Sequence, residues 1–133
     1  MRYIEYLRIP FKHMGRDEQG ADCFGLLRLF YQRELGIALK DYAGSYEPDW
    51  WKDSSLLTDN YRKWGFRKTS QPVPGNAILF RNTTEGAGHI GIILDDQYFL
   101  HMTKVGACIS EYTFGVWARQ IHSVYRYGKR VNR

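Results

Sequence analysis

The sequence is poor in features that would commit it to several large classes of protein. Nowhere in its 133 residues does an uninterrupted apolar run reach the about eighteen residues that a membrane helix needs, and the opening MRYIEYLRIP mixes charges among its apolar side chains. Neither a membrane span nor a secretion signal is expected. Cysteine occurs only at Cys23 and Cys108, too sparse for a disulfide framework, so two free thiols kept in a reducing compartment are expected. Internal repeats, low-complexity tracts and obvious linkers are also missing, and the length suits a single domain over 1–133. The 19 Lys and Arg residues outnumber 14 acidic ones, for a net charge of +5, yet they are scattered except in the closing YRYGKRVNR. Anionic partners are favoured in general, but no basic helix or stripe marks a specific nucleic-acid partner, and the tail reads as a solvated terminus.

What remains is an ordinary globular composition, 44% apolar and 25% charged. From Asp22 the chain reads as a helix. Leu26, Leu27, Phe30 and Glu34 follow Cys23 at helical spacing, Asp22 suits the N-cap, and Gly36 is a stop signal. Cys23 then lies in the first turn. There the free amide groups and the helix dipole favour a thiolate, although the charge of Asp22 works against it.

Residues 40–53 read as a long aromatic loop, with Tyr42, Tyr46, Trp50 and Trp51 covering the core or lining a groove, and a second helix is expected over about 54–64. After the turn QPVPG, the run NAILF begins a strand. In GHIGIILDDQYFLHM, Ile90, Ile92 and Leu94 and then Tyr98, Leu100 and Met102 occupy alternate positions, which predicts two strands of a hairpin. Sharing of one core face by the even positions puts His89 and His101 together on the other. A loop of Leu94, Asp95 and Asp96 places the two histidines directly opposite, with Cβ atoms roughly 5 Å apart. A cysteine at a helix start and a histidine whose second ring nitrogen has its own partner are the parts of a cysteine hydrolase.

Four ordered segments carry a resemblance that spans nearly the whole chain: IPFKHMGRDEQGADCFGLL, VPGNAILF, GHIGIILDDQYFLHM and VWARQIHSVYR. They resemble the NlpC family of cysteine peptidases, which cut peptidoglycan stem peptides, and especially its bacteriophage tail branch. The resemblance implies an α+β, papain-like fold in which the cysteine-bearing helix packs on an antiparallel sheet. It implies Cys23 as nucleophile, His89 as general base and acid, His101 as the residue orienting it, and the Cys23 backbone N–H in the oxyanion hole. The implied bond joins D-glutamate, through its γ-carboxyl, to a diamino acid. The implied setting is a virion tail, made in the host cytoplasm and acting at the cell wall beside other tail tip or hub proteins.

Around the nucleophile, Asp22, Phe24, His13 and Arg16 are the expected substrate contacts. Phe24 stands where the family usually has Ser, Phe11 and His13 stand near the place of a family tyrosine, and Asn76 replaces an Asp in the turn. Cys23, His89 and His101 could instead hold zinc, but they lie on scattered segments with no close ligand pair, so neither metal nor cofactor is expected. Cys108 is expected to be a packing residue, and His122 a surface or packing histidine of the closing strand. A second reading keeps the fold as a structural or assembly component of a tail tip.

Overall fold

The structure, a computed structural model, describes residues 3–39, 61–62, 65–81 and 88–128. The expected aromatic loop over 40–53 and the helix over 54–64, apart from its closing residues 61–62, lie outside the described residues. After a 3-10 turn at Ile4–Arg8, a short antiparallel ribbon of β1 (Arg16–Asp17) and β2 (Gly20–Ala21) leads into α1 (Cys23–Phe30). The helix begins where the sequence predicts, because Asp22 caps it by accepting a hydrogen bond from the Gly25 N–H at 2.7 Å. It does not run on as one α-helix. Its last turn, Tyr31–Leu35, widens to a π-helical turn before Gly36 ends it with φ of 67°.

The remaining strands are β3 (Phe66–Thr69), β4 (Ala77–Phe80), β5 (His89–Ile93), β6 (Tyr98–Thr103), β7 (Gly106–Glu111) and β8 (Ile121–Tyr127), with a short helix α2 (Gly115–Arg119) before the last. They form an antiparallel sheet in the order β3-β8-β4-β5-β6-β7. The fold is thus α+β, one principal helix on an antiparallel sheet, as the resemblance implies. Asn76, which stands in place of an acid, donates its side-chain N–H to the Gln71 carbonyl at 2.9 Å and closes the turn before β4.

Alternation along the strands sorts their side chains onto two faces. Leu79, Ile90, Ile92, Leu100 and Met102 join Leu26, Leu27, Leu29 and Phe30 of α1 in the main core. Burying a side chain of this size is worth about 1.5–3 kcal/mol, so this set is the principal force holding α1 to the sheet. The other face is closed as well, by Ile78, Phe80, Ile93, Phe99 and Tyr112, with Trp117 of α2 packed against them. A half-solvated sheet does not describe this region, since every residue of β5 is buried.

The hairpin register differs from the expected one. Gly91 pairs with His101, Ile92 with Leu100 and Ile93 with Phe99, so the turn is Asp95-Asp96-Gln97 and not Leu94-Asp95-Asp96. The cause is local. The Asp95 carboxylate accepts from the N–H groups of Gln97 at 2.8 Å and Tyr98 at 2.7 Å, and the Leu94 N–H reaches the Tyr98 carbonyl at 2.9 Å. The slip is two residues, which preserves which side chains share a face. Even positions still meet even positions in the core.

Candidate active site

Cys23 is the first residue of α1, and three backbone segments set its turn. Asp22, 2% exposed, spends one carboxylate oxygen on the Gly25 N–H and the other on the Met14 N–H at 3.0 Å. Arg16 adds an ion pair to the same carboxylate at 3.1 Å. Gly25 is required by packing, because a Cβ there would stand 1.9 Å from the Gly15 carbonyl oxygen. Of the expected substrate contacts, Asp22 and Arg16 therefore face each other and brace the cysteine turn. Phe24 is buried, with the Arg16 guanidinium 5.5 Å from its ring centre, and His13 is half-buried in the preceding segment.

Cys23 is 9% exposed as a residue, and burial raises its thiol pKa far above the usual thiol range. The Asp22 charge adds to the rise, while backbone hydrogen bonding from Ile90, Phe24 and Cys23 itself acts in the opposite direction. Ile90 is the residue after His89, so the part of β5 that acts on the thiol adjoins the first histidine in the chain. Among the described residues no hydrogen bond joins Cys23 to His89 directly.

His89 and His101 are 3% and 1% exposed, and His89 Nε2 lies 2.7 Å from His101 Nδ1. The expected pair is present, but it is diagonal. His101 sits across from Gly91, and His89 reaches it from two residues away along β5. Side chains at such diagonal positions start about 7–8 Å apart, within reach of two imidazoles that point at each other. Gly91 permits the geometry, for a Cβ there would come within 2.7 Å of the Phe99 ring and 3.3 Å of His101 Cβ.

Aromatic rings enclose the pair. Phe99 stacks on His101 with ring centres 4.3 Å apart, while Trp117 lies 4.9 Å from His101 and 5.4 Å from His89. Burial in this cage pushes both imidazoles below the ordinary histidine range, and His89 lowers His101 further. Burial thus acts on all three groups in the same sense, favouring the thiol form of Cys23 and the uncharged forms of both imidazoles.

Two further groups complete the arrangement, and sequence reading did not assign them. On β7, Ser110 Oγ lies 2.9 Å and Cys108 Sγ 3.2 Å from His101 Nε2. Cys108 is therefore more than a packing residue, a correction that follows from its pairing directly across from His101. Strand alternation alone would have put Cys108 and Ser110 on one face, but the register that brings this face to His101 is not written in the spacing. Trp117 was equally hidden, being on a five-residue helix with no buried periodicity. His122 fits its expected place on β8, exposed and 2.8 Å from Ser123 Oγ. A cavity of about 150 Å³ lined by Arg81, Arg119, Gln120, Ile121 and His122 contains none of the expected site residues. Among the described residues no cluster of three or more His, Cys, Asp or Glu has the arrangement to hold a metal, and no helix is long and apolar enough to cross a membrane.

Comparison with known proteins agrees with this architecture. The fold is similar to that of a Staphylococcus aureus protein described as similar to lipoprotein of the NLP/P60 family, with a TM-score of 0.63 and 20% identity, over 93% of this chain and 38% of that one. It is also similar to the NlpC/p60 domain of the peptidoglycan hydrolase SagA, with a TM-score of 0.58 and 16% identity, over 92% and 91% of the two chains. A tail tip assembly protein K of Escherichia phage N15 is 30% identical over 84 residues, which are 60% of this chain. The match spans only 34% of that relative's length. The model of the NlpC/P60 family matches residues 8–126, nearly the whole of the sequence, and the chain belongs to that family.

Proposed function

We propose that this protein is a phage tail-associated cysteine peptidase that hydrolyses the D-γ-glutamyl–diamino acid bond of peptidoglycan stem peptides, opening the wall locally during DNA entry. Residues 1–133 act as one catalytic domain. The observation that carries the reading is the 2.7 Å contact between His89 Nε2 and His101 Nδ1, made from the start of β5, the strand whose Ile90 backbone favours the Cys23 thiolate. Family membership and the SagA name supply the substrate class, and the N15 relative's name supplies the tail.

In this mechanism His89 Nε2 donates to His101 Nδ1, which leaves His89 Nδ1 as the base. His89 Nδ1 takes the Cys23 S–H proton, and the thiolate attacks the γ-carbonyl carbon of the substrate. The oxyanion is received by the Cys23 N–H at the helix start. Collapse breaks the C–N bond, His89 returns its proton to the leaving amine, and a thioester remains on Cys23. Water then attacks the thioester with His89 again as base, and the thiol is regenerated. Burial opposes the ion pair in the free protein, so contacts made with substrate or a tail partner supply the orientation and charge stabilisation that bring Cys23 onto His89.

The burial of Cys23 also favours a second reading, in which the protein is an assembly component of the tail tip that keeps the peptidase fold. Digestion of purified peptidoglycan by wild type and Cys23→Ala, with mass spectrometry of the released fragments, separates the two. Cysteine-dependent fragments ending at the D-glutamate–diamino acid junction support the peptidase. No release by folded wild type, alone or with its assembled tail, supports the assembly role.

A further inference from the structure

The histidine pair has two protonation patterns, and only one leaves a base facing Cys23. A neutral imidazole carries one N–H and one bare nitrogen. A single proton therefore occupies the 2.7 Å contact between His89 Nε2 and His101 Nδ1. If His89 supplies it, His89 Nδ1 is bare and His101 carries its proton on Nε2. If His101 supplies it, His89 carries its remaining proton on Nδ1 and has no lone pair to offer. The choice is thus made at the far nitrogen, His101 Nε2, where β7 places Ser110 Oγ at 2.9 Å and Cys108 Sγ at 3.2 Å.

We propose that Ser110 and Cys108 are positioning residues that hold the His101 proton on Nε2 and so keep His89 Nδ1 free to accept a proton. The role assigned to His89 Nδ1 rests on the peptidase reading; the tautomer of His101 does not. With the proton on Nε2, one N–H points at two acceptors and both are served by a shared hydrogen bond. With Nε2 bare, its single in-plane lone pair accepts from only one of the two. Ser110 is half-buried, so in the favoured pattern its own O–H proton can be satisfied by solvent. The arrangement is rigid on its other sides, since Phe99 stacks on the His101 ring and Trp117 stands edge-on to it. Ring flipping to exchange the nitrogens would have to displace both.

Long-range ¹H–¹⁵N correlation spectra of the imidazole rings at neutral pH read the pattern directly. The wild type is expected to show His101 protonated at Nε2 and bare at Nδ1. In the Ser110→Ala/Cys108→Ala double variant the Nδ1-protonated form should become populated. Ser110→Thr, which keeps a hydroxyl, should preserve the wild-type pattern. On a stem-peptide substrate, kcat of the double variant should fall about tenfold, the worth of roughly one hydrogen bond, with KM within about twofold. Wild-type His101 protonated at Nδ1 would overturn the proposal, as would a folded double variant with unchanged ring spectra. A shifted tautomer in the double variant with unchanged kcat supports the positioning role and instead removes His89 as the base.

Discussion

On the helix side of β5 and β6, Ile90, Ile92, Leu100 and Met102 join Leu26, Leu27 and Phe30 in a dry core with no polar side chain projecting into it from these strands. On the other side of the same two strands, Phe80, Phe99 and Trp117 enclose two imidazoles. Both faces are buried, yet they are stabilised differently. The helix face gains from transfer of apolar surface, and its worth depends on volume filled. The histidine face takes two polar rings out of water, which is tolerable only because each is hydrogen-bonded: His89 to His101, and His101 onward to β7. The contrast teaches that a strand pair can hold a fold on one face while orienting a reactive group on the other, each residue in sequence alternating between the two tasks.

Changes on each face should break different properties. The largest effect is expected from His89→Ala, which should lower kcat on stem peptide by about 10³-fold or more through loss of general base and acid. Thermal unfolding should meanwhile remain cooperative, since the residue is at a strand end. Activity retained within tenfold in that variant would mean that the histidine face does not perform catalysis. Next in size is Leu100→Ala, which should cost about 2–5 kcal/mol in chemical denaturation by leaving a cavity against α1. The fraction that stays folded should keep a near-normal kcat, and a selective loss of kcat there would blur the division between the faces.

The smallest effect concerns pH. Burial holds the pKa values of His89 and His101 below the ordinary range, so the unfolded chain takes up protons at pH values where the folded one does not. Their contribution to stability is therefore present above about pH 6.5 and is lost on acidification, with a slope of up to about 1.4 kcal/mol per pH unit for each histidine. Denaturation measured between pH 7 and 5.5 should show this decline, and His101→Gln should reduce the slope. Stability that rises on acidification in this window would show the imidazoles to be charged in the folded state.

The sequence carries the parity of the hairpin but not its register. Alternation of Ile90, Ile92, Leu100 and Met102 places both histidines on one face, whichever turn joins the strands. The turn differs from the one the apolar pattern suggests because the Asp95 carboxylate, by accepting from Gln97 and Tyr98, begins the loop one residue later. The start of α1 is legible from Asp22 as N-cap and from the helical spacing of Leu26, Leu27 and Phe30 after Cys23, since cap chemistry is local. The partners of His101 were not, because Cys108, Ser110 and Trp117 reach it through a strand pairing and a short helix set by tertiary packing. Asp22 takes the N-cap place expected of it, tying the Met14 and Gly25 amides, while its pairing with Arg16 comes from the fold of the preceding ribbon and is not visible in the spacing.

The most direct test of Cys23 as nucleophile is intact-protein mass spectrometry after acid quenching of the wild type during turnover of a γ-D-glutamyl–diaminopimelate peptide. A mass increase equal to the acyl portion of the substrate is expected, mapped to Cys23 by peptide analysis and absent from Cys23→Ala. Substrate cleavage by Cys23→Ala at the wild-type rate, or an acyl adduct on Cys108 in place of Cys23, would contradict it.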